Sequence, residues 1–320
     1  MNPIVSAIYV NHNTSALLLE SASSLIEKNV SSSFEIIIID NASNEKEKSI
    51  LRSASQKKKT QNIRLIFSEV NLGFGKANNL GAKHASGKYL FFINPDTLIL
   101  NDVLEIFISF MRDSGPAVAA CGGGLLTKNL QPNHSYGNFP GILLEVCNIG
   151  LGLSFLLNGY YERKIAIGAK VHGSGKLQVP YVVGADVFIR NELFWKVGGF
   201  DENYFLYYEE TDLFLRLSKL GLTSYILPEA KIIHFEGGAV GNNQPSTFNR
   251  FKHEVLLRSK LYYYKKWYPA AYLPVVKTLI FFQILVQFLK GRMGNDIKSL
   301  IRSYLTSISQ ANAQNSVTNE

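Results

Sequence analysis

Hydrophobic positions along the chain gather in short, nearly unbroken runs set between polar stretches. Residues 4–10, 34–39, 63–67 and 88–93 are such runs, rich in Ile, Val, Phe and Tyr. Their length and composition predict strands buried on both faces, as in a parallel sheet. The stretches between them predict helices. These are residues 16–28, a Glu- and Lys-rich segment ending in the basic run 57–59, and a segment that opens at Asn71-Leu72-Gly73-Phe74-Gly75-Lys76 and continues to about residue 85. The order β-α-β-α-β-α-β predicts an α/β domain built on a parallel, doubly wound sheet.

Beyond residue 93 the pattern loosens. Residues 102–111 predict a helix capped by Asn101 or Asp102. Residues 117–121 predict a strand that ends at Gly122-Gly123-Gly124, and residues 180–190 a strand with Gly184-Ala185-Asp186 inside it. A helix over 210–220 places Leu213, Leu217 and Leu220 on one face and closes at Gly221. Two strands, 223–227 and 231–235, are joined by Pro228-Glu229-Ala230. Residues 125–175 give only polar and glycine clusters around an apolar stretch at 142–157. After Gly237-Gly238 the character changes. Residues 248–268 predict a helix mixing Arg250, Lys252, Arg258 and Lys260 with Tyr262, Tyr263, Tyr264 and Trp267, and an apolar stretch at 273–289 and a polar, frayed tail follow. The expected organisation is an α/β domain over residues 1–240 and a helical region over 241–320.

The net charge of +8 and a pI near 9.2 point to an anionic partner. A nucleoside diphosphate, an anionic membrane and nucleic acid all satisfy that. No nucleic-acid motif accompanies the basic segments, so nucleic acid is set aside. Cys121 and Cys147 are the only cysteines and form no CxxC pair, which suits a reducing cytosol. The N-terminus carries no basic and apolar leader pattern, so no secretory signal is expected. A spanning helix wants about 20 mostly apolar residues. Residues 142–157 are too few and include Glu145 and Asn148, and Pro274, Lys277, Gln283 and Gln287 interrupt 273–289. The latter suits a helix lying in a membrane surface or packed on a partner, so peripheral membrane contact is expected and the oligomeric state is open.

Four places carry candidate chemistry. Asn94-Pro95-Asp96-Thr97 follows the strand at 88–93, where open α/β sheets bind ligands, so Asp96 can hold a divalent metal against a phosphate or serve as a turn residue bonding its own backbone. Asp40 ends the second strand and suits a nucleoside hydroxyl or base, or a helix cap. No glycine fingerprint follows the first strand, which ends Asn11-His12-Asn13, so dinucleotide binding is excluded. In the loop from Asn71 to Gly81, Gly73 permits close backbone approach, and Lys76 and Asn79 lie near a helix N-terminus that welcomes an anion. Glu209, Glu210 and Asp212 crowd the start of a helix whose field would keep a carboxylate ionised, as a general base requires. Asp212 can pair with Arg216 at i,i+4. His234, at a strand end, becomes a metal ligand only if Asp96 comes near it.

Taken together these segments resemble the family 2 glycosyltransferases of the GT-A fold, in particular a bacterial rhamnosyltransferase-like branch, over roughly residues 3–238. The likeness rests on residues 5–13, on Ile38-Ile39-Asp40-Asn41-Ala42-Ser43, on residues 71–81 followed by Asn94-Pro95-Asp96-Thr97, and on Val197-Gly198-Gly199-Phe200-Asp201 through Glu209 to Arg216 with His234. The resemblance implies an inverting transfer, from a nucleoside-diphosphate sugar such as dTDP-rhamnose, to a glycan or polyprenyl-diphosphate-linked acceptor in surface polysaccharide synthesis. That work would be done on the cytoplasmic face of the cell membrane. It implies donor contacts from Asn11, Asn13, Asp40, Asn71, Gly73, Lys76, Asn79, Asn94, Gly184 and Asp186. It also implies Mn²⁺ or Mg²⁺ on Asp96 with His234, and Glu210 as base, with Glu209 or Asp212 as alternatives. Asn94 stands where many relatives carry an aspartate, and Glu210 where an aspartate is common. A sugar-nucleotide nucleotidyltransferase would need a Gly- and Lys-rich loop after the first strand, and none is present. An inactive glycan- or membrane-binding protein on the same fold is the non-enzymatic alternative.

Overall fold

The structure is a computed structural model. It describes residues 3–57, 63–157, 159–166, 169–171, 173–235, 250–290 and 304–305. The basic run beyond Lys57, the Gly237-Gly238 pair and most of the C-terminal tail lie outside them. In chain order the elements are β1 (Val5–Asn11), α1 (Ser15–Lys28), β2 (Phe34–Asn41), α2 (Glu45–Lys57), β3 (Ile63–Ser68), α3 (Phe74–Lys83), β4 (Tyr89–Ile93), β5 (Thr97–Ile99), α4 (Val103–Asp113), β6 (Val118–Leu126) and β7 (His134–Gly137). There follow α5 (Ile142–Cys147), α6 (Leu153–Leu156), α7 (Gly159–Lys164), β8 (Ala169–Lys170), β9 (Leu177–Val179), β10 (Tyr181–Val182), β11 (Asp186–Arg190), α8 (Asn191–Lys196), α9 (Glu209–Lys219), β12 (Thr223–His234), α10 (Arg250–Trp267) and α11 (Tyr272–Leu289).

The chain divides into two units. The first comprises Met1–Phe139, Ile167–Asn203 and Glu209–Asn242. Its main sheet has the order β3-β2-β1-β4-β11-β6-β12-β5, with β9 alongside β12, and β10-β7-β8 form a small second sheet. β3, β2, β1 and β4 are mutually parallel, whereas β11 runs antiparallel to both β4 and β6. The expected parallel half is therefore present, and a mixed half extends it. The apolar runs are buried on both faces, as their composition predicts. In β1, Val5, Ala7 and Tyr9 pack with Leu18 and Leu25 of α1 and Phe107 of α4, while Ile8 and Val10 join the cluster that holds Leu213 and Leu217 of α9. At the start of α4 the Asp102 side chain accepts from Glu105 N, the cap expected of it.

Three expectations are corrected. β6 does not stop at Gly122-Gly123-Gly124 but runs through it, because the glycines admit close neighbours. A Cβ on Gly122 would stand 2.4 Å from Val182 Cγ1, and one on Gly123 2.5 Å from Ala230 O. Residues 180–190 are not one strand. β10 belongs to the small sheet and β11 to the large one, and residues 183–185 carry the chain between them. The expected strand pair at 223–235 is a single strand, β12, whose register shifts between Leu227 and Lys231, so Pro228-Glu229-Ala230 is a bulge rather than a connection.

The second unit comprises Pro140–Ala166, Tyr204–Tyr208 and Asn243–Glu320. The apolar stretch that had no reading, 142–157, thus folds with the C-terminal helices. Glu145 explains why. It is fully buried, receives Lys260 Nζ at 2.9 Å and Tyr264 OH at 3.1 Å, and Gln283 Nε2 donates to both its carbonyl (2.8 Å) and its carboxylate (3.1 Å). Glu145 and Gln283, each a polar interruption of an apolar stretch, are each other's partner. α11 is long and apolar enough to cross a membrane by length and composition alone, and 17% of it is buried.

Candidate active site

The carboxyl ends of β1 and β2 lie side by side, with Asn11 in register with Asp40. Asn11 Nδ2 donates to Asp40 Oδ1 at 2.9 Å and to Ser43 Oγ at 3.1 Å, and Ser43 N donates to Asp40 Oδ2 at 3.2 Å. Asn11 and Asp40 are both fully buried. Asn11 therefore orients the aspartate from inside the sheet. Asn13 is exposed in a left-handed conformation (φ 59°) and accepts from Asn44 N and Nδ2.

The loop before α3 is tied to the same strand ends by Asn41, which the sequence did not single out. Asn41 Nδ2 donates to Asn71 Oδ1 (2.9 Å) and Gly73 O (3.2 Å), and its Oδ1 accepts from Leu72 N (2.7 Å). Its position next to Asp40 at a strand end was the available signal. Gly73 caps the helix with φ 78°, a conformation that costs other residues strain. Gly81 serves packing: a Cβ there would stand 2.5 Å from Ile8 Cγ2. Asn79 spends its carboxamide on protein. Nδ2 donates to Phe200 O (2.8 Å) and Glu202 Oε1 (3.2 Å), and Oδ1 accepts from Phe200 N. Lys76 pairs with the same Glu202 at 3.6 Å on the surface.

Asp96 and His234 do meet. β5 and β12 pair antiparallel with His234 opposite Thr97, and His234 Nε2 lies 3.4 Å from Asp96 Oδ1. Phe235 N donates to the Asp96 carbonyl, fixing the turn. Asn94 N donates to Ala185 O at 3.0 Å, and Asn94 Oδ1 is buried with no hydrogen-bond donor. The carboxylate, imidazole and spare amide oxygen are donors a divalent cation accepts. No cluster of three His, Cys, Asp or Glu able to hold a metal exists among the described residues, so a cation here would complete its shell with water and phosphate oxygens, as Mg²⁺ and Mn²⁺ sites at phosphates do. The residues fit the metal.

Gly184 and Ala185 join this end of the site to the acidic helix. Gly184 lies beside Glu210, whose Oε1 would be 3.5 Å from a Cβ there, and the Gly184 amide donates to the Glu210 carboxylate. Burial raises the Glu210 pKa. The amides of Glu210 itself, Gly184 and Thr211 oppose that rise. Glu209 is buried behind Gly75, with Oε2 unpartnered, and its pKa stands well above the usual range through burial first and the neighbouring Glu210 charge second. At Glu209 and Glu210 desolvation works against the helix field and raises both carboxyls. Asp212, fully buried, takes Arg216 Nε at 2.8 Å, the expected i,i+4 pair. Just ahead of α9, Tyr207 and Tyr208 both have positive φ (69° and 72°), a strained approach to the acids. Tyr181, buried and close to Glu210 and Thr211, gave no sequence signal.

Asp186 lies within the sheet rather than at its open edge. It is fully buried opposite Ile93, accepts from Gly123 N at 2.5 Å and leaves Oδ1 without a partner. Burial pushes its carboxyl far up, against the pull of the Gly123 amide.

Residues 6–168, about half of the chain, match the model of Glycosyl transferase family 2. The chain belongs to that family. Rhamnosyltransferase WbbL of Escherichia coli (strain K12) is 29% identical over 172 residues, 51% of this chain and 61% of that protein. dTDP-rhamnosyl transferase RfbF of Shigella flexneri is 23% identical over 243 residues, 74% of this chain and 71% of that protein. Among solved structures, GalNAc-T7 with UDP, GalNAc and Mn²⁺ aligns with a TM-score of 0.61 at 13% identity, covering 84% of this chain and 49% of that one. At that identity the likeness is one of fold, and the fold is GT-A.

Proposed function

We propose that the protein transfers a sugar, with inversion, from a nucleoside-diphosphate donor to a hydroxyl of a lipid-linked or nascent surface glycan. The observation that carries this reading is the pair Gly184-Ala185. Ala185 bonds Asn94 of the Asp96 turn and Gly184 flanks Glu210, so the phosphate end and the acidic end of the site share two adjacent residues. Rhamnose from dTDP is the donor suggested by the names of the two relatives.

In this reading the Asn11–Asp40 pair holds the nucleoside, and the loop pinned by Asn41 presents its backbone to the diphosphate at the start of α3. Asp96 and His234, with Asn94 beside them, would hold Mn²⁺ or Mg²⁺. Such an ion, when bound, offsets the charge that builds on a leaving diphosphate. Glu210 is the base. Its carboxylate lies beside Gly184 and is supported by three backbone amides, whereas Glu209 is buried behind Gly75 and Asp212 is engaged by Arg216. Glu210 takes the proton from the acceptor hydroxyl as that oxygen attacks the anomeric carbon from the face opposite the leaving group. A lipid-linked acceptor puts the enzyme in peripheral contact with the cytoplasmic face of the membrane.

The base assignment is tested by the pH dependence of turnover. A base must be ionised, and burial raises the Glu210 pKa, so kcat/KM falls with decreasing pH below a midpoint lying above that of an ordinary glutamate. Glu210→Gln lowers kcat by about 10²-fold or more with nucleotide affinity unchanged, on the scale of general-base catalysis. Full activity in that variant, with the same loss in Asp212→Asn, would move the base to Asp212.

A further inference from the structure

The second unit carries the whole net charge of the chain. Its segments hold thirteen Lys and Arg against five Asp and Glu, which leaves the first unit balanced and accounts for the +8. On that same unit large apolar side chains stand in solvent. Phe155 is 85% exposed, Leu156 77%, Leu151 64% and Leu289 73%. In α11 only Val276, Ile280 and Ile284, one stripe along the helix, are buried, and Phe281, Phe282 and Phe288 are each nearly half exposed. The two exposed groups are neighbours. A Cβ on Gly150 would stand 3.5 Å from Val286 Cγ1, and Lys290 Nζ donates to Gly150 O, so the turn at Gly150 that leads through Leu151 into α6, with Phe155 and Leu156, sits beside the C-terminal end of α11.

We propose that this face is a bilayer-docking surface. Phe155 and Leu156 enter the acyl boundary next to the end of α11, while the net positive charge of the unit draws it to anionic headgroups. An apolar face on a unit that carries the whole net positive charge matches an anionic lipid surface in both hydrophobicity and charge. A second copy of the chain does not match, because pairing this face with itself would oppose two units that each carry the full positive charge. α11 lies along that surface, tied into the unit by the Gln283 bonds to Glu145 rather than free to leave it. The proposal deepens the peripheral contact of the reading above and needs no transfer chemistry of its own.

The test is sedimentation of the full chain with vesicles of phosphatidylcholine alone and of an equal mixture of phosphatidylcholine and phosphatidylglycerol. The wild type is expected to bind the mixed vesicles and to lose about tenfold or more in affinity on phosphatidylcholine alone or in high salt. A Phe155→Asp, Leu156→Asp double variant is expected to lose about tenfold or more on the mixed vesicles while binding nucleotide as the wild type does. Equal binding by wild type and double variant, or no binding of the wild type to either vesicle, overturns the proposal. So does a wild-type dimer that the double variant dissolves with no vesicle binding, which would give the face to a second copy. Failure of the glycosyltransferase reading would show as absent nucleotide binding and would leave the vesicle result standing.

Discussion

Asp186 is an acid placed where ionisation is costly. It is fully buried, has one bond, from Gly123 N, and its carboxyl holds its proton well beyond the usual pH. In the unfolded chain an aspartate releases that proton near pH 4 (about 3.9). Between that value and the raised folded value the native state binds more protons, so stability falls as pH rises through this window. Asp186→Asn removes the dependence. Thermal unfolding of wild type and variant should agree at low pH, with the variant increasingly the more stable toward neutral pH, and equal melting temperatures at all pH values would contradict the assignment. A glycine and an acid inside a predicted strand marked residues 184–186 as worth watching. What the sequence could not supply was depth: the same letters suit an edge carboxylate facing a ligand and an interior acid facing Gly123. Asn79 shows the limit from the other side. It reads as a phosphate contact near a helix N-terminus, yet both ends of its amide are taken by Phe200.

At the scale of elements, α5, α10 and α11 are held by one buried charge. Lys260→Met leaves the Glu145 carboxylate without its ion-pair partner in the interior of the second unit, and such a loss costs roughly 3–5 kcal/mol. Glu145→Gln in the same chain should recover much of it, since Tyr264 and Gln283 can bond an amide, and denaturant unfolding of the single and double variants measures the coupling. Additive losses would mean that the pair is incidental. The four strands at the N-terminal end were legible because burial on both faces writes itself as an unbroken apolar run. The full length of β6 is hidden in the sequence because glycines punctuate loops more often than they admit a neighbouring backbone. The segment 142–157 was opaque because its partners lie more than a hundred residues away, on helices whose own polar residues looked like interruptions.

At the scale of the molecule, charge and chemistry are divided. The first unit is balanced and holds the strand ends, the Asp96–His234 pair and the α9 acids, and the second holds the net charge and the exposed apolar face. The meeting of Asp96 and His234, left conditional by sequence alone, follows from the antiparallel pairing of β5 with β12, a long-range register that no local pattern encodes. The central claim is that this pair builds a metal-dependent site for a nucleoside diphosphate. Calorimetric titration of dTDP, UDP and GDP into wild type and Asp96→Ala, with and without Mn²⁺, tests it most directly. The account predicts that one nucleotide binds the wild type in a Mn²⁺-dependent manner and that the variant loses that dependence, with an affinity loss of about a hundredfold, or about 2.8 kcal/mol. Binding of equal strength with and without the metal, or unchanged by Asp96→Ala, would contradict it.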